Sequence, residues 1–179
     1  MNERGLKNIE YRYLPEFVYG ATDGVVTTFA VVAGVLGASL SSAIILILGF
    51  ANLFADGFSM ATSDYLSTKA RNDLRKRIKF PNTNPLKSAF MTFFAFFVIG
   101  FIPLLSFVIA TITKNPYLVE RQFLHSIMLT FFSLCIIGWW KGKISKKSEI
   151  KSMIQTVSIG GIAALIAFFI GYLIKRLLV

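Results

Sequence analysis

Two short series of polar residues, each spaced by four positions, interrupt otherwise apolar stretches of the sequence. The members are Tyr19, Asp23 and Thr27 in the first series and Asn52, Asp56, Met60 and Asp64 in the second. Because residues four apart lie one above another on an α-helix, each series predicts a polar stripe on one helix face.

The side chains in these stripes are of the kinds that bind metal ions. Carboxylate and amide oxygens suit hard and borderline divalent cations, and a methionine thioether adds a preference for softer transition metals over Ca²⁺ or Mg²⁺. We therefore predict a path for Fe²⁺ or Mn²⁺ in which Asp23 and Met60 are the first ligands. Asp56 and Asn52 would line the same path.

The sequence also contains five apolar segments long enough to hold such stripes inside a membrane. Of the 179 residues, 55% are hydrophobic and 18 are phenylalanine, which is unusual for a soluble domain of this size. A helix needs about 20 apolar residues to cross a bilayer. The segments that meet this requirement are residues 17–40, 43–66, 88–112, 122–140 and 152–174.

These apolar runs are continuous and lack the two-residue alternation of barrel strands, so helices are expected. The predicted fold is an all-α, polytopic membrane protein in which residues 1–179 form one transmembrane domain of five helices. Pro103 should kink the third helix.

The basic residues are distributed unevenly around the five spans. Fifteen of the 19 lysines and arginines fall in the N-terminal segment and in the loops after the second and fourth spans, on one side of the membrane. By the positive-inside rule this side is the cytoplasm, so the C-terminus lies outside the cell or in a lumen. The net charge of +10 then reflects topology, and no nucleic-acid partner is expected. The basic run at residues 69–79 has a second interpretation, a surface that binds anionic membrane lipids.

This orientation brings the two stripes to comparable depths. Asp23 is about seven residues, or roughly 10 Å, from the cytoplasmic start of its helix, and Met60 is about six residues, or roughly 9 Å, from the cytoplasmic end of its own. We expect these two side chains at the same level, with Asp56 and Asn52 deeper in the membrane. Asp64, nearer the cytoplasm, fits either a solvated carboxylate or a gate.

No lysine or arginine within a span accompanies these acids, and unpaired acids inside a membrane are usually functional. A carboxylate in a medium of low dielectric constant holds a proton readily, so metal binding would release protons. Proton-coupled antiport that moves the metal out of the cytoplasm is therefore the expected mechanism.

Two other functions remain open from the sequence. The acids could fix helix packing in a membrane scaffold or assembly factor, or they could serve a transporter of another cation. No nucleophile with a base, nucleotide-binding loop or metal-hydrolase spacing is found, so we predict neither enzymatic activity nor a cofactor. The lack of a recognisable targeting signal favours the plasma membrane over an internal one.

Two segments carry a resemblance to a known family: YGATDGVVTTFAVVAGVLGAS, from Tyr19, and GFANLFADGFSMATSDYLSTKAR, from Gly49. They resemble the first two helices of the vacuolar iron transporter family of iron and manganese transporters. The first segment is similar to the helix with that family's SDG-type motif, and the second is similar to the helix whose last part contains SM and YLS. The resemblance implies a homodimer whose metal path follows the two-fold axis, lined by Asp23 and Met60 of each protomer.

Two departures from that family pattern have consequences. Asn52 stands where plant-like members carry glutamate, although Asp56 one turn later can supply the missing charge. The long cytoplasmic helices that bind metal between the second and third spans are missing, and a short basic loop ending in PNTNP at residues 81–85 replaces them. Because a basic loop repels cations, no cytoplasmic metal-capture site is expected.

Overall fold

The computed structural model describes residues 3–76 and 83–178, and the regular structure in these ranges is entirely helical. The helices, in chain order, are α1 (Glu3–Gly37), α2 (Ser42–Lys76), α3 (Pro85–Gly100), α4 (Ile102–Thr113), α5 (Pro116–Ile144) and α6 (Glu149–Leu178). The predicted all-α class is therefore confirmed.

Five spans can be built from these six helices. Four of them are long and apolar enough to cross a membrane, namely α1 from Tyr13 onward, α2 as far as Leu74, α5 and α6. The short helices α3 and α4 meet the same requirement only together, as one broken span or as a re-entrant loop. The apolar segments 17–40, 43–66, 122–140 and 152–174 therefore correspond to the four long helices, and segment 88–112 corresponds to the bent pair. The orientation of the termini stays a prediction.

The third span bends by 48° where α3 gives way to α4. Pro103, in the first turn of α4, has no backbone N–H and cannot continue the hydrogen bonds of α3. The carbonyl oxygen of Pro103 accepts a 2.7 Å hydrogen bond from the Ser126 hydroxyl of α5, which ties the bend to a neighbouring helix. The kink predicted at Pro103 is present, and it divides the span into two helices.

The first helix lies at the centre of the bundle and packs most extensively on α3 and α6. Gly20 and Gly24 allow the approach to α3, because a Cβ at either position would collide with a carbonyl oxygen of Thr92 or Phe96. These two glycines therefore form the close contact between α1 and α3. Beside it, Val25 is fully buried.

A pair of hydrogen bonds holds the beginning of α3 against α2. Asn72 of α2 donates from Nδ2 to the Thr83 carbonyl oxygen at 2.6 Å and accepts at Oδ1 from the Thr83 backbone N–H at 3.1 Å. The side chain of Asn84 then caps α3 by accepting from two backbone N–H groups of its first turn. The turn predicted at residues 81–85 lies partly outside the described residues.

Candidate cation path between α1 and α2

The two polar stripes meet where α1 and α2 run side by side. The two helices are joined by a short turn and are antiparallel. Asn52 Nδ2 of α2 donates a 3.5 Å hydrogen bond to Thr27 Oγ1 of α1. Thr27 in turn donates a 2.8 Å hydrogen bond to the backbone carbonyl oxygen of Asp23. The structure thus brings the two series of residues into contact at Thr27 and Asn52.

The register set by this contact brings two carboxylates together. Because the two helices are antiparallel, one turn back along α1, from Thr27 to Asp23, corresponds to one turn forward along α2 from Asn52. Asp23 is therefore opposite Asp56, and their carboxylates are close enough to interact electrostatically. The repulsion between two like charges is relieved when a proton or a cation neutralises one of them.

The sequence predicted that Met60 lies at the same level as Asp23. In the structure Met60 lies one turn further along α2. By the same register it is opposite Tyr19, and both residues line one cavity, which does not include Asp23. The expected common level of Met60 and Asp23 is therefore replaced by a stagger of about one helical turn. Met60 is half-buried and also packs against the hydrophobic core, so only part of its side chain is available to the path.

The cavity beside Met60 has a volume of about 430 Å³ and lies between α1 and α2, toward the N-terminal part of α1. Its polar lining includes Glu16 and Tyr19 from α1 and Asp64 and Arg71 from α2, together with three serines of α2. By the predicted orientation this is the cytoplasmic side of the membrane. The cavity therefore brings Met60 next to polar side chains of both helices.

Glu16 is a candidate residue that the sequence analysis missed. It lines the cavity, and its Oε2 is buried with no hydrogen-bond partner among the described residues. The residue lies seven positions before Asp23, two helical turns away on the same face, so the spacing alone could have identified it. Beginning the first span at residue 17 excluded it.

Asp64 is neither a solvated carboxylate nor a free ligand. Its Oδ2 accepts a 3.2 Å hydrogen bond from Thr92 of α3, and its Oδ1 accepts a 3.5 Å hydrogen bond from Thr68. Arg71 Nη2 lies 3.8 Å from Oδ1 as an ion pair at the protein surface. These contacts tie α2 to α3 at the edge of the cavity, so Asp64 is better suited to shaping the cavity than to carrying the ion.

The described part of one chain does not bring together enough ligands for a metal ion. Within residues 3–76 and 83–178, no three histidine, cysteine, aspartate or glutamate side chains come together in a way that could hold a metal ion. Asp56, Ser59 and Ser63 are exposed on the surface of the single chain although they lie within a span. An acid facing lipid is unfavourable, so this face of α2 needs a polar cover.

Comparison with known proteins identifies related sequences along most of the chain. The profile of the VIT family matches residues 14–80 and 75–172. A vacuolar iron transporter of Toxoplasma gondii is 25% identical, in an alignment that covers 94% of this chain and 76% of the relative. Vacuolar iron transporter 1 of Arabidopsis thaliana is 25% identical, with 90% of this chain and 86% of the relative covered. Vacuolar iron transporter homolog 4 of the same plant is 27% identical, with 88% and 81% covered.

The alignment lengths separate these relatives into two kinds. The alignments with the Toxoplasma and first Arabidopsis proteins span 231 and 220 residues, more than the 179 of this chain, so both relatives contain residues without a counterpart here. The alignment with homolog 4 spans only 169 residues. The two profile matches overlap at residues 75–80, which begin in the last turn of α2 and belong to the basic run that replaces the long cytoplasmic helices in the sequence analysis.

Proposed function

Because the chain belongs to the VIT family, as the resemblance of its first two helices predicted, we propose that it transports a divalent transition metal, Fe²⁺ or Mn²⁺, out of the cytoplasm. The observation that carries this proposal is the meeting of two polar stripes inside the membrane, with Asp23 opposite Asp56. The relatives named as vacuolar iron transporters support a metal as the cargo. The metal is substrate, and the proposal includes neither a cofactor nor an enzymatic step.

The residues have successive roles along the path. A cation enters the cavity beside Met60, where the thioether favours Fe²⁺ and Mn²⁺ over Mg²⁺ and Ca²⁺. It then binds between the carboxylates of Asp23 and Asp56, and Asn52 supplies an amide oxygen one turn deeper. Protonation of the two acids after the metal leaves would make the transport an exchange of metal for protons.

A homodimer supplies what one chain lacks. If the exposed polar face of α2 packs against its copy, Asp56, Ser59 and Ser63 are removed from lipid. The two-fold axis would then bring two copies of each ligand to one path, which raises the number of oxygen and sulfur ligands to that of an ordinary transition-metal site.

The relatives bear on which membrane holds the protein. Their names assign them to the vacuole, and this favours an internal membrane for the present chain over the plasma membrane that the sequence analysis expected. The multi-pass character of the chain is common to both alternatives.

Metal uptake into proteoliposomes that enclose a fluorescent metal reporter tests the proposed transport. Wild-type protein is expected to take up Fe²⁺ or Mn²⁺ faster when the liposome interior is more acidic than the outside, because protons then flow out as the metal enters. Asp23→Asn should abolish uptake, and Met60→Ala should reduce the preference over Mg²⁺. Thr62→Ala serves as the control in the same helix as Met60, because Thr62 is exposed and its hydroxyl donates to the Phe58 carbonyl oxygen one turn earlier. No uptake by well-folded wild type would favour the scaffold interpretation, and uptake indifferent to Asp23→Asn would put the path elsewhere.

Cysteine cross-linking tests the dimer separately. In a Cys135→Ala background, Ser63→Cys on the polar face of α2 should form a disulfide between two chains in the membrane. Ile162→Cys, exposed on the apolar surface of α6, is the matched control and should not. Equal cross-linking at both positions would contradict a dimer built on α2.

A further inference from the structure

A second cavity lies at the other end of the sequence, where α5 ends and α6 begins. Its volume is about 210 Å³, and it is lined by three lysines, Lys141, Lys147 and Lys151, together with serine side chains of the connecting turn. Its lining, in the part of the chain that the structure describes, contains no carboxylate. Three lysines around one cavity favour an anionic ligand.

The backbone holds this cavity in a fixed shape. The Lys147 N–H donates a 3.0 Å hydrogen bond to the Gly142 carbonyl oxygen, which closes the turn between the two helices. Gly142 allows the helices to approach, because a Cβ there would lie 2.7 Å from Glu149 Cα and 3.0 Å from Ser152 Cβ. Glu149 is in the first turn of α6 but does not line the cavity. The lysines are therefore brought together by a short, hydrogen-bonded turn.

Ser152 gives the cavity a donor that the fold itself does not use. The residue lines the cavity and is 7% exposed, and its Oγ is buried with no hydrogen-bond partner in the described residues. A buried hydroxyl without a partner costs free energy unless a ligand or water satisfies it. It lies in the first turn of α6, where backbone N–H groups and the helix dipole also favour an anion.

We propose that this cavity binds a phosphate group, held by Lys141, Lys147 and Lys151 and by the Ser152 hydroxyl. All the oxygens of a phosphate group can accept hydrogen bonds, and its negative charge attracts lysine. It therefore matches a site whose charged and hydroxyl groups are donors. Two tryptophans, Trp139 and Trp140, directly precede Lys141, and tryptophan is enriched at the membrane interface. The cavity is therefore at the level of lipid headgroups, and the phosphate can come from an anionic phospholipid or from solution.

The binding is tested on the full chain in an uncharged detergent. Thermal unfolding, followed by tryptophan fluorescence, is measured against sodium phosphate at constant ionic strength. Native mass spectrometry then counts the lipids retained after extraction from vesicles of phosphatidylglycerol or of phosphatidylcholine. Stabilisation by phosphate identifies a soluble source, and retention of phosphatidylglycerol alone identifies a lipid headgroup. Both results support the site.

Two pairs of lysines in the same segment give a matched comparison. The double variant Lys147→Gln with Lys151→Gln should weaken binding at least about tenfold, because each lysine contributes a charge-assisted hydrogen bond. The double variant Lys143→Gln with Lys146→Gln removes the same charge outside the cavity and should leave binding within about twofold, since Lys143 lies over the Trp139 ring instead.

Ser152→Ala is a second test of the site that remains usable if the lysine variants fail to fold. It should weaken binding about tenfold, because it removes one hydrogen bond to a charged group. The proposal is overturned if neither phosphate nor phosphatidylglycerol binds, if both lysine pairs weaken binding equally, or if Ser152→Ala binds as the wild type does. None of these results depends on metal transport.

Discussion

The packing of α1 on α3 can be tested by adding one methyl group at Gly24. A Cβ there would collide with the Phe96 carbonyl oxygen and would lie 3.0 Å from Phe96 Cα, whereas carbon atoms in comfortable contact are about 3.5–4.0 Å apart. The atoms in the way belong to the α3 backbone, so the two helices must separate. Gly24→Ala should therefore carry the cost of overpacking, about 1–3 kcal/mol.

Gly161→Ala is the matched control for this substitution. It makes the same change in a membrane-spanning helix, and a Cβ at Gly161 meets no atom within 4 Å. The gain in helix propensity from glycine to alanine, about 1 kcal/mol, applies to both variants and cancels in their comparison. At about 2–4 °C per kcal/mol, Gly24→Ala should unfold roughly 2–12 °C below Gly161→Ala.

Thermal unfolding of the two variants in the same detergent measures this difference. Tryptophan fluorescence provides the signal, since Trp139 and Trp140 lie in the described bundle. Because Gly24 follows Asp23 directly, the displacement should also slow metal uptake in Gly24→Ala and leave Gly161→Ala unaffected. Equal melting temperatures would refute the close contact between α1 and α3.

Two further substitutions test the ends of the path and of the bundle. Asn72→Ala removes both hydrogen bonds to Thr83 at a position that is only 8% exposed. It should therefore lower the free energy of unfolding by about 1–3 kcal/mol, which thermal unfolding measures. An unchanged melting temperature would mean that this connection does not hold α3. Glu16→Gln keeps the shape of the side chain but removes its charge from the cavity beside Met60. Uptake at low metal concentration should fall several-fold, whereas the rate at saturating metal concentration should change less. Initial uptake rates measured against metal concentration test this. An unchanged apparent affinity for the metal would exclude Glu16 from the entrance.

The spans and the kink could be predicted because they depend on local chemistry. A run of about 20 apolar residues has few alternatives to a membrane helix, and a proline inside such a run removes one backbone N–H wherever the helix lies. Pro103 therefore kinks its span in the structure as the sequence predicted. The stripe of Asn52 and Asp56 followed in the same way from the helical period.

The relative position of two helices is a different kind of quantity. Counting residues from assumed span ends put Met60 level with Asp23, but the ends of α1 and α2 extend well beyond the apolar segments. The contact between Asn52 and Thr27 fixes the register and shifts Met60 by one turn. Only an interaction between helices carries that information, and no spacing within one helix contains it.

The sequence also did not indicate which polar side chains are buried and which are exposed. The spacing placed Asp64 nearer the cytoplasm than Asp56, but it did not indicate that Asp64 is tied to α3 or that Asp56 is exposed on α2. Glu16 could have been found by its spacing, but its unpartnered carboxylate oxygen became visible only in the folded bundle. The partner of Gly24 likewise became known only when α3 was seen to lie against α1.

The central claim is that Asp23 of α1 and Asp56 of α2 bind the same ion. Metal-uptake rates of Asp23→Asn, Asp56→Asn and the double variant, measured at low metal concentration in the same proteoliposomes, test it as a double-mutant cycle. If both acids hold one ion, each single variant should lose most of the activity, and the double variant should lose little more than either. Losses that multiply independently would mean that the two acids act at separate points and that the path between α1 and α2 is not a single site.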